Sequence, residues 1–389
     1  MQVLWLASWY PDAFEPYNGD FIQRNARAVA ELMPITVIHV LQAGSNIHSK
    51  YKFEINKQQQ LEEWIVYFTF KPTPIKKLNT FLYQRAYKQC YKKVLKKYLT
   101  AYGKPSIVHV HAPMRAGIIA RKWCQKMHLP YIVSEHASMY AKTAIDSYFQ
   151  KPIWYKNALR KVMQQAAVVT NVSFTVANSI QKIFNLSTVT VIPNLVNTQY
   201  FQFKAETQSN KFTFLHVSSL LPQKNLTGIL KTFALLKNEF QQWQLVIVGP
   251  KSSVIEAEIE QLQLSAYVHL TDAIPYESVA AYMQQANALV LFSWQENAPC
   301  VIFEALCCGL PVITSSAGGA ADFINENNGI IVPPGDEKAL LNACRQMLQE
   351  YAKFNRFAIA KSAVRQFAQP VIASQIVTLY EPFLDKQVI

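Results

Sequence analysis

No apolar run in these 389 residues reaches the ~18 needed to cross a bilayer, so the sequence offers no transmembrane helix. Its start, Met1 to Ser8, has no basic segment before the apolar stretch and meets Trp9-Tyr10-Pro11 at once. It reads as a first buried strand rather than a secretory leader. Cysteine is sparse: Cys90, Cys124, Cys300, Cys307, Cys308 and Cys344 show no zinc-like spacing, and Cys307-Cys308 is adjacent rather than CxxC. Scattered thiols of this kind fit a reducing cytoplasm. There is no short-period repeat, no low-complexity tract and no nucleic-acid-binding module. Acidic residues are scarce in the first half. Residues 1–200 hold 25 Lys+Arg against 9 Asp+Glu, whereas residues 201–389 hold 13 against 16. The net charge of +13 therefore sits wholly in the first half, and the two halves are expected to meet different partners.

What is present is a regular alternation. Strand-length apolar runs near 2–8, 35–41, 64–69, 106–110, 130–134, 166–170 and 188–192 are separated by helical patterns such as 20–32, 114–127 and 173–184. A second series, near 212–217, 244–248, 267–270, 288–292, 311–314 and 329–332, alternates with helices near 225–239, 253–263, 276–286, 299–308 and 336–350. Such alternation predicts an α/β chain of doubly wound parallel sheets. The polar stretch from Lys204 to Lys211 divides the series and reads as a linker. Two such domains are expected to face a cleft, with ligands at the strand C-termini.

The most informative segment runs from Ser293 to Thr314. A strand ends near Phe292, a loop carries Glu296, Pro299 suits a first helical turn, and Gly309 suits the position just past the helix. Glu304 lies on that helix. Each ionised carboxylate can accept two hydrogen bonds from vicinal hydroxyls, which ribose and hexose both present. Earlier, a strand from Phe212 leads through Ser218-Ser219-Leu-Leu-Pro-Gln-Lys224 into a helix, whose N-terminus and lysine together suit a diphosphate.

This Glu-x7-Glu followed by Ala-Leu-Cys-Cys-Gly-Leu-Pro-Val resembles the signature of the retaining GT-B glycosyltransferases of family 4, or group 1. The resemblance implies two Rossmann-like domains: residues 1–203 on the acceptor side, 204–370 binding the nucleotide-sugar, and 371–389 crossing back to the first. It implies that Glu304 binds the ribose, that Glu296 lies at the donor sugar and that Lys224 meets the diphosphate. Ser219 stands where the family usually has arginine, which removes one of two expected cations. Leu245-Val-Ile-Val-Gly249 resembles the family strand whose glycine lets a ligand approach. Gly318-Gly319-Ala-Ala-Asp322 resembles its Gly-Gly-x-x-Glu turn, and Ile192-Pro193-Asn194 also fits. Asn297, Ala298 and Pro299 are counted with the donor site.

In the first half, the loop after the first strand contains Asn18-Gly19-Asp20, a turn signal leading into a helix. Gly19 matches a family glycine placed against the diphosphate. His136 matches a histidine that reaches the donor sugar, and is counted with Glu296 and Lys224 as catalytic. Asn18, Glu135 and His111 are acceptor-side candidates. Residues 71–104 hold ten Lys+Arg and no Asp or Glu. At 100° per residue, Arg85, Lys88, Lys92 and Lys96 share one face, and Tyr83, Tyr87, Cys90, Tyr91, Val94 and Tyr98 the opposite one. This basic amphipathic helix predicts docking on anionic lipid.

The expectation is a glycosyltransferase moving sugar from a UDP- or GDP-sugar to a glycan or lipid-linked glycan in cell-surface polysaccharide biosynthesis. It is expected to be cytoplasmic and peripheral at the inner face of the cytoplasmic membrane, with no metal, no cofactor and no nucleic-acid partner. Alanine at Glu296 or Lys224 is expected to cut transfer and leave the fold intact. Two alternatives stay open: a GT-B sugar-nucleotide epimerase, and a non-catalytic basic protein binding membrane or nucleic acid with a degenerate donor site.

Overall fold

The structure, a computed structural model, describes residues 2–43, 49–141, 144, 146–205 and 211–384. The chain divides into two compact units. Unit 1 comprises Met1–Val172, Ala177–Ile192 and Ala373–Ile389, and unit 2 comprises Ser173–Val176 and Pro193–Ile372.

In unit 1, strands β1 (Val3–Ala7), β2 (Ile35–Gln42), β3 (Tyr51–Gln58), β4 (Leu61–Phe68), β5 (Ile107–His111), β6 (Tyr131–Glu135), β7 (Val168–Asn171) and β8 (Thr190–Val191) form one sheet. Its order is β3-β4-β2-β1-β5-β6-β7-β8. Every residue of β1 is buried, as a central parallel strand covered on both faces requires. Only β3 runs antiparallel, paired with β4 from Tyr51 opposite Phe68 to Gln58 opposite Leu61. Their two-residue turn places Gln59 at φ 51°, the positive φ that tight hairpins demand. Helices α1 (Asp20–Ala30), α2 (Lys76–Tyr102), α3 (Ala116–Met127), α4 (Ile153–Gln164) and α5 (Phe174–Phe184) occupy the crossovers.

In unit 2, β9 (Phe212–Val217), β10 (Trp243–Val248), β11 (Val268–Thr271), β12 (Ala288–Leu291), β13 (Val312–Ser315) and β14 (Gly329–Val332) are all parallel. They are ordered β11-β10-β9-β12-β13-β14. Helices α6 (Leu226–Leu236), α7 (Ser253–Gln261), α8 (Tyr276–Gln285), α9 (Cys300–Cys307), α10 (Glu337–Glu350) and α11 (Arg356–Phe367) follow. Phe214, Phe233 and Trp243 pack edge to face at the centre of its core.

The unit boundary falls at Pro193, ahead of the stretch read as a linker. Residues 194–203 already pack on unit 2: Val196 N–H donates to Phe367 O at 2.8 Å, and the Phe201 and Tyr276 rings lie 5.0 Å apart. Of the linker itself, residues 206–210 lie outside the described residues. Within α12 (Gln369–Thr378) the chain passes back into unit 1 at Ala373, and α13 (Glu381–Leu384) follows. Tyr380 fixes it there. Its hydroxyl accepts from Trp5 Nε1 at 3.0 Å and lies 2.6 Å from His109 Nδ1. No helix among the described residues is long and apolar enough to cross a membrane.

Candidate active site

In each sheet the first strand has neighbours leading away in opposite directions, a topological switch point where crossover loops part and ligands are accommodated. In unit 2 that point lies between β9 and β12. The loops leaving these two strands carry Lys224 and Glu296.

After β9 the chain makes a short 3-10 turn at Pro222–Lys224 and enters α6. Asn225, at φ 52°, caps the helix by accepting from Gly228 N–H at 3.3 Å. Lys224 is thereby held one residue ahead of a helix N-terminus. Its Nζ lies 2.6 Å from Glu296 Oε1, which also accepts from Ser293 Oγ at 2.7 Å. Both side chains are largely buried, at 15% and 10% exposure.

The Glu296 loop is pinned along its length. Trp294 N–H donates to Gln223 O at 2.8 Å, tying it to the Lys224 loop. Ser315 Oγ donates to Ser293 O at 2.6 Å, and Gly319 N–H to Glu296 O at 3.3 Å. Gly318, at φ +65°, leaves no room for a side chain, because a Cβ would lie 2.0 Å from Glu296 O. The Gly-Gly turn therefore holds Glu296 by backbone contact.

Pro299 caps α9 as the residue before it rather than filling its first turn. The helix ends as its sequence suggests: Gly309 takes φ +74°, its N–H donates to Leu306 O and Leu310 N–H to Ala305 O, both at 2.9 Å. This pair of bonds is a Schellman stop. Glu304 is buried on α9. Cys308 beside it has its thiol pushed up to about 12, first by burial and then by the Glu304 charge.

Several other donor-site candidates have structural duties. A Cβ on Gly249 would lie 2.4 Å from Ser218 O, so the chain's own loop already requires glycine there. Ser219 is exposed. Asn194 Nδ2 donates to Ala298 O at 3.0 Å, and Ser173 Oγ to Asn297 Oδ1 at 2.6 Å. These bonds stitch two segments onto the Glu296 loop. The Asn194 Oδ1, also buried, has no partner among the described residues. Asp322 accepts from Thr175 N–H at 2.8 Å and Oγ1 at 2.5 Å.

The remaining candidates belong to unit 1, where the switch point lies between β1 and β5. Gly19 takes φ +69°, and a Cβ there would lie 2.7 Å from the Trp9 carbonyl carbon. Asn18, half-buried beside it, closes the preceding turn through its N–H to Glu15 O at 3.1 Å. His111 ends β5, and its Nδ1 lies 3.3 Å from His136 Nε2, with the rings stacked. Burial holds His136 down at about 3 and His111 well below its usual value, the neighbouring histidines adding to the effect. Both are neutral imidazoles near pH 7, and a single proton is shared along their contact. Glu135 is not an open acceptor-side carboxylate. It accepts from the His136 and Ala137 N–H groups, each at 2.8 Å, and from the Tyr140 hydroxyl.

Ser293 and His216 join the site without having been singled out from the sequence. His216 on β9 holds Val290 O at 2.9 Å and Ser218 Oγ at 2.8 Å. Burial keeps it neutral, at about 4. The position of Ser293, three residues before Glu296 at a strand end, was the available signal. Among the described residues no group of three or more His, Cys, Asp or Glu side chains is placed to hold a metal ion.

Two family models match the chain. "Glycosyltransferase Family 4" covers residues 52–200 and "Glycosyl transferases group 1" covers residues 197–363. A Bacillus subtilis protein named as a teichuronic acid biosynthesis glycosyltransferase, TuaC, is 22% identical over 361 residues, 88% of each chain. The N-acetyl-alpha-D-glucosaminyl L-malate synthase of Bacillus anthracis is 26% identical over 242 residues, 58% of this chain and 62% of that one. Among solved structures, sucrose-phosphate synthase from Thermosynechococcus elongatus superposes with a TM-score of 0.80 at 20% identity, covering 100% of both chains. Anabaena Alr3699/HepE in complex with UDP gives 0.72 at 17% identity, covering 98% of this chain and 100% of that one. At these identities the structural likeness is one of fold.

Proposed function

Because the chain belongs to the family 4, or group 1, glycosyltransferases of the GT-B fold, we propose that it moves a sugar, with retention, from a UDP- or GDP-sugar to a glycan or lipid-linked glycan in cell-surface polysaccharide synthesis. The observation that carries this reading is the Lys224–Glu296 pair, 2.6 Å apart, at the switch point of unit 2. A cation before a helix N-terminus suits a diphosphate. A carboxylate fixed by Ser293 and the Gly318-Gly319 turn suits the hydroxyls of the donor sugar. Glu304 is assigned to the ribose. The unpartnered Asn194 Oδ1 is available to a ligand hydroxyl, a buried acceptor that otherwise costs stability. His136, neutral, serves as a hydrogen-bonding group and not as a charge.

In the proposed step the acceptor hydroxyl forms its bond to the anomeric carbon on the face from which the phosphate leaves. The carbon–oxygen bond to the diphosphate breaks, and the hydroxyl proton passes to the departing phosphate oxygen. Lys224 and the N–H groups opening α6 stabilise the growing negative charge. No step in this scheme calls for a metal or cofactor. A glycan acceptor is supported by the relative named for teichuronic acid biosynthesis. A lipid-linked acceptor fits a peripheral, anionic-membrane-docked enzyme, with Arg85, Lys88, Lys92 and Lys96 exposed on α2.

Thermal-shift measurements with UDP-, GDP- and ADP-sugars test the donor assignment, since a ligand stabilises in proportion to its affinity and concentration. A shift with one nucleotide series, lost in Lys224→Met, is expected. No shift with any nucleotide sugar would remove the donor reading. Epimerised free nucleotide sugar formed without acceptor would replace transfer by epimerisation.

A further inference from the structure

The N-terminal third of α2 is unusual in its exposure. The helix has 27 residues, about 40 Å at 1.5 Å per residue. Its fully buried side chains, Tyr87, Cys90, Tyr91, Val94, Leu95 and Tyr98, all lie in the later part, and ahead of them Tyr83 is half-buried against Phe68 and Phe70. Ahead of that, Leu78 is 40% exposed, and Ile75 and Phe81 are each 61% exposed. At 100° per residue, Leu78, Phe81, Arg85, Lys88, Lys92 and Lys96 fall within a stripe about 80° wide, turned away from the buried tyrosine face. The stripe is thus apolar at one end and basic along the rest.

Three features say what covers it. None of Arg85, Lys88, Lys92 or Lys96 has an ion-pair partner among the described residues, and residues 71–104 contain no acid. By contrast, Lys93 and Lys97, on the flank, lie over the rings of Tyr51 and Phe53. Finally, the helix opens with Lys76 and Lys77 and no acidic residue in its first turn. Cations at that end oppose the helix dipole in water, whereas a layer of phosphates matches both them and the free N–H groups.

We propose that Leu78 and Phe81, with Ile75 at the helix start, insert below the headgroups of an anionic bilayer while Arg85, Lys88, Lys92 and Lys96 lie along the phosphates. The inference rests on the docking reading above and adds a second, apolar contact to it. A membrane helix of this kind combines buried apolar area with electrostatic attraction, and the two contacts together hold where either alone is marginal. The apolar end sets how deeply α2 sits; the basic run sets which lipid it chooses.

The test is cosedimentation of the full chain with phosphatidylglycerol/phosphatidylcholine vesicles and with phosphatidylcholine vesicles alone. It compares the wild type with L78S/F81S and with K88Q/K92Q/K96Q. All five replaced side chains are exposed, so thermal unfolding of both variants should match the wild type. The serine variant should partition about tenfold more weakly onto the mixed vesicles, the loss expected for withdrawing two apolar side chains from a partly buried position. Its decline in binding towards about 1 M salt, where the Debye length is about 3 Å, should parallel the wild type. The glutamine variant should lose most of that salt dependence. Wild-type partitioning of L78S/F81S would overturn insertion, and docking would stand if the glutamine variant still loses binding. No vesicle binding by the wild type would overturn both readings. A shift of L78S/F81S from dimer to monomer without lipid would make the stripe a self-association surface and overturn the proposal.

Discussion

Lys224 and Glu296 are a mostly buried ion pair, and that changes what their removal should do. Taking away one partner leaves an uncompensated charge, which costs about 3 kcal/mol in such settings. Lys224→Met and Glu296→Gln are therefore each expected to lower stability as well as transfer, contrary to the sequence expectation of an intact fold. The double variant K224M/E296Q should regain most of the stability and none of the activity. Calorimetry and turnover on the same preparations would separate the two effects, and singles as stable as the wild type would count against the pairing. Gly318→Ala is the companion case. A Cβ 2.0 Å from Glu296 O, at φ +65°, forces the Glu296 loop to move, and the left-handed backbone adds about 1–2 kcal/mol of strain. We expect unchanged far-UV circular dichroism with a raised KM for the donor. Glu296, Glu304 and Lys224 were legible because charged residues in a strand–loop–helix frame stand out. Ser293 was not, since a serine bonded inside a loop looks the same in sequence as one facing water. Gly19 and Gly249 were legible as special positions, but the sequence could not say that the chain itself crosses them.

At the scale of elements, α2 shows how far periodicity reaches. Tyr87, Cys90, Tyr91, Val94 and Tyr98 are buried and Arg85, Lys88, Lys92 and Lys96 exposed, the two faces that the 3.6-residue period separates. Tyr91→Ala should cost about 3–5 kcal/mol, as truncating a fully buried aromatic does. Lys92→Gln should stay within about 0.5 kcal/mol. Chemical denaturation of both would show whether the helix is held by one face alone; equal losses would refute that. Strand β3 was missed for the opposite reason. It is an edge strand, mostly exposed, and its polar residues mask the alternation of Tyr51, Phe53 and Ile55. The start of β4 was misplaced because Glu62 and Glu63 read as loop. In the fold Glu62 accepts from Trp64 Nε1 at 2.7 Å and Glu63 from the Tyr10 hydroxyl at 2.7 Å.

For the whole molecule, the two units differ most in their histidines. Unit 1 buries His39, His109 and His111 and half-buries His136, each lowered chiefly by removal from water, His109 and His136 to about 3. Unit 2 buries His216, lowered to about 4. A histidine with a depressed folded value stays neutral in the fold but takes a proton on unfolding below its ordinary pKa of about 6.5. Its contribution is complete above that pH and is lost as pH falls towards the folded value. Glu135, raised by burial, works the other way and offsets part of this in unit 1. Between pH about 6.5 and about 4, unit 1 should therefore lose stability more steeply than unit 2. The network that holds the returning C-terminal segment sharpens this. Trp5 N–H can only donate, so the Tyr380 hydroxyl accepts it and passes its own hydrogen to His109 Nδ1, leaving the His109 Nε2–H to Ser134 Oγ at 2.7 Å. Charging His109 would place a second proton against that hydroxyl and break the bond. Calorimetry from pH 7 down to about 4.5 should then show the transition of unit 1 falling faster, with C-terminal residues becoming accessible to carboxypeptidase in the same range. Tyr380→Phe should bring that accessibility on at higher pH. Parallel shifts of both transitions, or a C-terminus equally protected throughout, would show that the buried histidines do not govern the acid response.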